Sequence, residues 1–129
     1  MSHATQRTSG RELAAIETLL AQTAKDCYAR GWAMGTSGNF SSVVSREPLV
    51  VTITATGLHK GTLSPDNFVR VDAKGTVVGG AGSPSAETPL HLLLANVRRA
   101  GAVSHTHSVW STIISDLHAN ATGLWIEGY

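Results

Sequence analysis

Apolar positions recur along the chain with two different periods, which predict a mixture of helices and strands. Near the N-terminus they recur every three or four residues, the period of one buried helix face. These positions are Leu13, Ile16, Leu20, Ala24 and Cys27. Ser9 and Glu12 have the spacing of a capping box, and Gly31 provides a C-terminal stop. The sequence therefore predicts a first helix that ends near Arg30, with the Cys27 thiol packed in the core.

Short segments rich in Val, Ile and Thr follow this helix and predict strands that pair as hairpins. The first pair is 40–45 with 49–54, and the second is 68–71 with 76–78. The stretch 79–85 is rich in Gly, Ser and Pro, which predicts irregular structure.

Helices and strands alternate in the last third of the chain. Pro89 is suited to a first helical turn, and this predicts a helix over 88–99 that stops before Gly101. A short strand is predicted at 102–105, a helix at 108–117 and a further strand at 124–126. Hairpins with interspersed helices are typical of an α/β sandwich with a largely antiparallel sheet.

Length and composition narrow the class of protein. The 129 residues fit a single domain, with a flexible tail expected over 1–8, and the formal net charge is only +1. Such a small charge gives no reason to expect nucleic acid or an anionic membrane as a partner. The single cysteine cannot form an intramolecular disulfide, and the polar N-terminus lacks the apolar core of a signal peptide. We therefore expect a cytoplasmic protein.

The segment His105-Thr106-His107 is the sharpest chemical feature of the sequence. On an extended backbone, alternate side chains point to the same side, with their Cα atoms about 6.5 Å apart. Two imidazoles placed in this way can converge on one ion at zinc–nitrogen distances of about 2.1 Å. Chance His-x-His pairs are common, but this pair follows a predicted strand and precedes a predicted helix. Sites of α/β proteins gather at such strand ends, which favours a metal site.

Glu87 lies where a loop turns into the predicted helix over 88–99. One interpretation is an acidic residue that interacts favourably with the positive end of the helix dipole. The other is an acid/base group, or a metal ligand that exchanges with substrate. The residue pattern alone leaves both interpretations open.

Three loops carry small hydrogen-bond donors that suit a phosphate group. They are 36–39, 56–57 and 83–85, all rich in Gly, Ser, Thr or Asn. Glycine lets the backbone approach an anion, and hydroxyl and N–H groups can surround it, although the same residues are ordinary turn formers. Lys60 can add a positive charge, but a solvated loop lysine is the default expectation.

The remaining histidines and the tryptophans carry weaker signals. His91 falls inside a leucine-rich helix, where a packed or half-exposed residue is expected. His59 lies beside Lys60 and is a candidate for lining the site, whereas His118 is expected at a helix end or on the surface. The three tryptophans are expected to be packing anchors, and Trp110 can also line the pocket near the histidine pair. They are Trp32, Trp110 and Trp125.

Taken in chain order, Ser-Gly-Asn, Thr-Gly, Ser-x-Glu and His-x-His resemble the class II aldolase/adducin-like family of sugar-phosphate enzymes. The resemblance runs from about Gly31 to the end of the chain, and four spaced motifs in the right order make it specific. In detail, the segments 31–39, 53–61, 85–91 and 101–108 resemble the branch that dehydrates 5-methylthioribulose 1-phosphate in methionine salvage.

The resemblance implies a three-layer sandwich with a mainly antiparallel central sheet flanked by helices. It also implies a metal-dependent lyase with one zinc ion, or another divalent ion, per subunit, in a homotetramer with sites at subunit interfaces. By motif position, His105 and His107 are the metal ligands and Glu87 is the acid/base carboxylate. The residues around the phosphate of a small sugar-phosphate substrate are Ser37, Gly38, Asn39, Thr56, Gly57, Lys60 and Ser85.

The chain departs from the family pattern in several ways. The third zinc histidine is expected beyond Tyr129, and the dehydratase branch has a further catalytic glutamate just after the Glu-Gly-Tyr segment. The C-terminal part of the domain is therefore expected to be missing. Ala86 stands where the aldolases have a second serine. Retro-aldol cleavage or 4-epimerisation of a ketose phosphate stays open as an alternative, as does a non-catalytic scaffold like the adducin head.

Overall fold

The computed structural model describes residues 8–128, so most of the predicted tail lies outside the described residues. The first helix, α1, spans Gly10–Ala29. Its predicted capping box is confirmed, because Ser9 N donates to Glu12 Oε2 at 2.7 Å and Glu12 N donates to Ser9 Oγ at 3.3 Å. Within the described part of the chain, no helix is both long and apolar enough to cross a membrane.

Five strands form one sheet in which every pairing is antiparallel, and its order is β4-β3-β2-β1-β5. The strands are β1 (Asn39–Arg46), β2 (Leu49–Thr54), β3 (Phe68–Asp72), β4 (Val77–Gly80) and β5 (Ala102–His105). Two further α-helices follow in the second half of the chain, α2 (Thr88–Val97) and α3 (Val109–Leu117). Single 3₁₀ turns at Lys60–Thr62 and Pro65–Asn67 connect β2 to β3.

The two faces of the sheet bury separate apolar clusters. On one face α1 packs against side chains that include Phe40, and Cys27 lies at the edge of this cluster, where burial raises the pKa of its thiol. On the other face α2 contributes Leu92 and Ala95 to a cluster with residues of β2 and β3. The chain is therefore a three-layer α/β sandwich with an antiparallel central sheet, as predicted.

Two predicted boundaries are wrong. β4 includes Gly79 and Gly80, which belong to the stretch predicted to be irregular. Gly80 has φ +82°, and a Cβ there would lie 2.3 Å from the Phe68 carbonyl oxygen, so a glycine makes this pairing possible rather than ending it. α2 ends at Val97 instead of residue 99, because Arg99 adopts a left-handed conformation with φ +54°.

The predictions for the C-terminal segment are also corrected. Residues 124–126 form no strand and pair with no other strand of residues 8–128, and their side chains are exposed. The tryptophans do not anchor a core within residues 8–128, because all three are exposed, Trp110 by 75% and Trp125 by 93%. α3 buries none of its residues, and its apolar side chains are available for contact with another surface.

A polar contact holds α1 to the sheet inside the apolar cluster. Glu17 is buried, and its Oε1 accepts hydrogen bonds from Thr52 Oγ1 at 2.8 Å and Arg70 Nη1 at 3.1 Å. The hydrophobic pattern of α1 does not reveal this residue, since it is a carboxylate beside the apolar stripe. Buried carboxylates are tolerated when such donors satisfy them.

We expect Glu17→Ala to lower the free energy of unfolding by about 2–3 kcal/mol, because it leaves the Arg70 guanidinium and the Thr52 hydroxyl without their acceptor. Leu19→Ala is the matched control on the same helix, since Leu19 is 68% exposed. Urea denaturation monitored by circular dichroism gives both values. Equal effects of the two substitutions would contradict a stabilising role for the Glu17 contact.

Candidate active site

The register of the sheet brings the first and last motif residues together. Asn39 begins β1, His105 ends β5, and the two are direct partners in the antiparallel pairing. Cross-strand partners project from the same face of a sheet. This is the α2 face, because Ser41, two residues along the same strand, contacts His91 of α2 at 2.6 Å. Asn39 Oδ1 lies 2.9 Å from His105 Nδ1.

The loop before β1 fixes the backbone of the two histidines. Gly38 has φ +79°, and a Cβ at this position would lie 2.7 Å from the His105 carbonyl oxygen. The backbone N–H of His107 donates to the Trp32 carbonyl oxygen at 2.7 Å. The Ser-Gly-Asn motif therefore has a structural reason for its glycine, which is the close approach of the two segments.

Glu87 lies directly before α2, at the N-cap position, but its carboxylate makes no capping hydrogen bond. Instead, Glu87 Oε2 lies 2.8 Å from His105 Nδ1. Burial raises the pKa of Glu87, but the Asn39 amide and the nearby His105 and His107 outweigh it, so the pKa lies below its usual value. The side chain is 45% exposed, so a charged, reachable carboxylate stands beside the histidine pair.

The three small-residue loops lie next to one another. Asn39 Nδ2 donates to Ser85 Oγ at 2.9 Å, and the backbone N–H of Glu87 donates to the same oxygen at 3.2 Å. The backbone N–H of Thr56 donates to the Ser83 carbonyl oxygen at 2.9 Å, which joins the second loop to the third. Thr56 and Gly57 are exposed beside this junction, with Gly57 at φ +75°.

Lys60 is not a solvated loop residue, and this expectation is wrong. The residue is 2% exposed, and its Nζ donates to the carbonyl oxygens of Thr36 and Leu58 at 2.9 Å each. Burial lowers the pKa of this ammonium group. Among residues 8–128 it has no carboxylate partner. Lys60 therefore links the loop 36–39 to the loop 56–57, and its ammonium group is buried between them.

Other residues singled out in the sequence have local roles. The Ser37 hydroxyl donates to the Met34 carbonyl oxygen at 2.6 Å, so it turns into its own loop. His59 Nδ1 accepts from the Gly61 N–H at 3.2 Å, and its ring stacks edge-on against Tyr28. His118 caps the C-terminus of α3, as expected.

His91 is the residue whose importance the sequence hides. It lies in an apolar helix and is completely buried, as a packed residue should be, but both ring nitrogens have hydrogen-bond partners. Nδ1 lies 2.6 Å from Ser41 Oγ, and Nε2 lies 3.2 Å from Asn39 Oδ1. Burial lowers the pKa of this imidazole, which favours the neutral ring. These contacts become visible only when α2 is packed against β1 in the folded structure.

The histidine pair fits one divalent ion. The ring centroids of His105 and His107 are 4.8 Å apart. Two imidazoles on one tetrahedral ion, with zinc–nitrogen distances of about 2.1 Å, have centroids roughly 5 Å apart. His105 uses Nδ1 for Asn39 and Glu87, as ligating histidines commonly do, which leaves Nε2 for a metal. Residues 8–128 contain no cluster of three or more His, Cys, Asp or Glu side chains that could hold an ion.

We expect Gly38→Ala to lower the free energy of unfolding by about 3 kcal/mol, because the new methyl group meets the His105 backbone as well as a positive φ. Gly35→Ala is the matched control, since Gly35 has φ +57° but nothing within 4 Å of the place that its new methyl group would take. That control should cost only about 1–2 kcal/mol. Urea denaturation of both variants tests this, and an equal loss would refute the close approach.

Comparisons with known proteins give the family of the chain. The family model of the class II aldolase and adducin N-terminal domain matches residues 18–126. A methylthioribulose-1-phosphate dehydratase from an Exiguobacterium species is 42% identical over 101 residues, 78% of this chain and 49% of that protein. The enzyme of the same name from Pseudomonas savastanoi pv. phaseolicola is 39% identical over 120 residues, 92% of this chain and 56% of that protein.

Among solved structures, an L-fuculose 1-phosphate aldolase superimposes with a TM-score of 0.75 at 25% identity, covering 88% of this chain and 52% of that one. The chain thus spans about half the length of the relatives that it matches. Since the family model covers most of its residues, the chain belongs to the class II aldolase and adducin N-terminal domain family.

Proposed function

We propose that the protein containing this chain is a metal-dependent hydro-lyase of methionine salvage. It dehydrates 5-methylthioribulose 1-phosphate to 2,3-diketo-5-methylthiopentyl 1-phosphate. The observation that carries this proposal is the 39–42% identity to dehydratases of that name, over 78–92% of this chain. The contact of Glu87 with His105 and the position of His107 beside it support a metal-dependent reaction with an acid/base carboxylate.

His105 and His107 would hold a zinc ion or another divalent cation. A cation bound there supplies Lewis-acid polarisation of the substrate's carbonyl and neighbouring hydroxyl oxygens. Two imidazoles fill half of a tetrahedral shell, so further ligands have to come from outside this pair. The chain's own contribution is the orientation of the His105 ring, which the Asn39 amide holds, and the backbone position of His107, which the Trp32 carbonyl oxygen holds.

Glu87 would carry out one of the proton transfers in the reaction. The C3 hydrogen leaves as a proton and the C4 hydroxyl leaves with a proton as water, which gives an enol. That enol then loses its hydroxyl proton and gains one at C4, so that a second ketone forms. The Glu87 carboxylate is exposed and held by His105, which suits it to accept the C3 proton.

The phosphate group would lie among the three joined loops. Ser85 Oγ already accepts two N–H groups, so its own hydroxyl proton is available for a phosphate oxygen. Asn39, Thr56 and Gly57 border the same junction, and Gly38 lets the backbone approach. Lys60 would act by its charge and by holding the loops, because its ammonium group is buried. Ser37 would contribute only if its hydroxyl leaves the Met34 carbonyl.

The proposal includes a homotetramer whose sites lie at subunit interfaces. It is supported by the apolar side chains that α3 exposes directly after the histidine pair. These are Val109, Trp110, Ile113, Ile114 and Leu117. An apolar surface of this kind is typical of a face that another surface covers.

A second candidate activity is aldol cleavage or 4-epimerisation of a ketose phosphate, which the likeness to an L-fuculose 1-phosphate aldolase favours. Assays of the complete gene product with 5-methylthioribulose, fuculose and ribulose phosphates distinguish the activities. We expect water loss from the first substrate and no turnover of the others. Turnover of only the latter would overturn the dehydratase proposal. A protein with no bound divalent ion and no activity on adding zinc would indicate a scaffold.

Glu87→Gln should lower kcat about 100-fold or more, because the amide cannot accept the substrate proton. KM should change little, since the amide keeps the size and most contacts of the side chain. Glu47→Gln, in the exposed turn at the opposite end of β1, is the matched control. Steady-state kinetics decide the matter, and an equal kcat for both variants would remove Glu87 from the reaction.

A further inference from the structure

His91 satisfies every hydrogen-bonding atom of its ring inside an apolar helix face. The neighbouring buried positions of α2, Leu92 and Ala95, pack in an apolar cluster. A leucine in place of His91 would avoid the cost of burying a polar ring. The reason for a histidine therefore lies in its partners, Ser41 and Asn39.

The protons in this network can be assigned one after another, starting from Glu87. A carboxylate only accepts hydrogen bonds, so His105 Nδ1, 2.8 Å from Glu87 Oε2, carries a proton. Asn39 must then present its oxygen to the same ring nitrogen, at 2.9 Å. Its Nδ2 consequently faces Ser85 Oγ, at 2.9 Å.

The same assignment extends to His91. Because Asn39 Oδ1 is an acceptor, His91 Nε2 donates to it across 3.2 Å. His91 Nδ1 is then the unprotonated nitrogen, and it accepts the hydroxyl proton of Ser41 at 2.6 Å. Each polar atom between Ser41 and Glu87 is then either a hydrogen-bond donor or an acceptor, and no donor faces another donor.

An amide side chain can turn over by exchanging its oxygen and its NH₂ group. A reversed Asn39 would point NH₂ at both His91 Nε2 and His105 Nδ1. It would favour the His105 tautomer with the proton on Nε2, and that nitrogen could then no longer bind a metal. The buried Ser41 hydroxyl opposes this reversal through His91. Its only hydrogen-bond partner among residues 8–128 is His91 Nδ1, so its proton goes to that nitrogen and His91 carries its own proton on Nε2. That N–H would meet the NH₂ group of a reversed Asn39.

We propose that His91 is a positioning residue that, together with Glu87, favours the Nδ1-protonated tautomer of His105, because it holds the Asn39 amide in one orientation. The buried His91 would thus favour the metal-binding tautomer of His105, although His91 itself touches neither the metal nor the substrate. The proposal rests on the proposed function in one respect, namely that His105 binds a divalent ion. The tautomer itself can be measured without any metal.

The first test is zinc affinity of the complete gene product, measured by competition with a chromophoric chelator. His91→Leu should weaken zinc binding by up to about 10-fold, the lower end of the loss for a direct partner of a ligand, because His91 acts through Asn39. His91→Gln, which keeps an N–H donor, should recover most of the affinity. Leu92→Ala, a buried neighbour outside the network, should lose stability but keep zinc affinity within about twofold. Equal losses in His91→Leu and Leu92→Ala would overturn the proposal.

The second test is nitrogen NMR of the histidine rings in the metal-free protein, with His105 assigned by its substitution. Wild type should show His105 protonated on Nδ1, and His91→Leu should shift population to the Nε2-protonated ring. An unchanged tautomer in His91→Leu would refute the proposal even if zinc binding falls. If wild type binds no zinc, the proposed function fails, and the NMR result still decides the role of His91. Should His91→Leu fail to fold, His91→Phe replaces it in both measurements.

Discussion

The side-chain amide of Asn39 joins His105, His91 and the loop before α2, and the β1–β5 pairing places it among them. Its oxygen accepts hydrogen bonds from His91 and His105, and its nitrogen donates one to Ser85. Side chains alternate between the faces of a strand, so a shift of β1 by one residue against β5 would turn Asn39 toward α1. The histidine, the serine and the loop before α2 would then lose their common partner. The register of one strand pair thus determines whether these groups meet.

Both faces of the sheet carry a buried polar network, but the two networks end differently. On the α1 face, the carboxylate of Glu17 is itself buried and accepts hydrogen bonds from Thr52 and Arg70. On the α2 face, the chain that starts at Ser41 and His91 leads outward to an exposed carboxylate. A buried carboxylate with its donors stabilises the packing of a helix, whereas a carboxylate that reaches the surface can also take part in chemistry. The difference in exposure distinguishes Glu17, a structural carboxylate, from Glu87, the candidate catalytic one.

Local patterns in the sequence are sufficient to predict most elements of the fold. The capping box at Ser9, the helical stripe and the first hairpin need only neighbouring residues, and the structure agrees with them. The predictions are wrong where the secondary structure depends on a residue that is distant in the sequence. Gly80 belongs to a strand because of its approach to Phe68, and residues 124–126 lack a strand partner among the described residues.

The site shows the same division between local and distant information. Motif order predicts the proximity of Glu87 and His105, but not the burial of Lys60 between two loops. It also gives no sign that His91 bonds Asn39, since these residues are 52 positions apart. A histidine on an apolar helix face looks like packing until its partners are known. A buried polar residue at the centre of an apolar stripe is the one signal that could have directed attention to it.

The histidine pair is oriented by contacts that form when the domain folds. His105 is held through its Nδ1, and His107 through its backbone N–H to Trp32. Much of the conformational entropy of arranging these ligands is therefore lost in folding rather than in binding an ion. α3 begins two residues after His107 and buries none of its side chains against the described residues. Any surface that covers α3 must therefore lie near the histidine pair. Burial of that helix and completion of the ligand shell are consequently expected to be coupled.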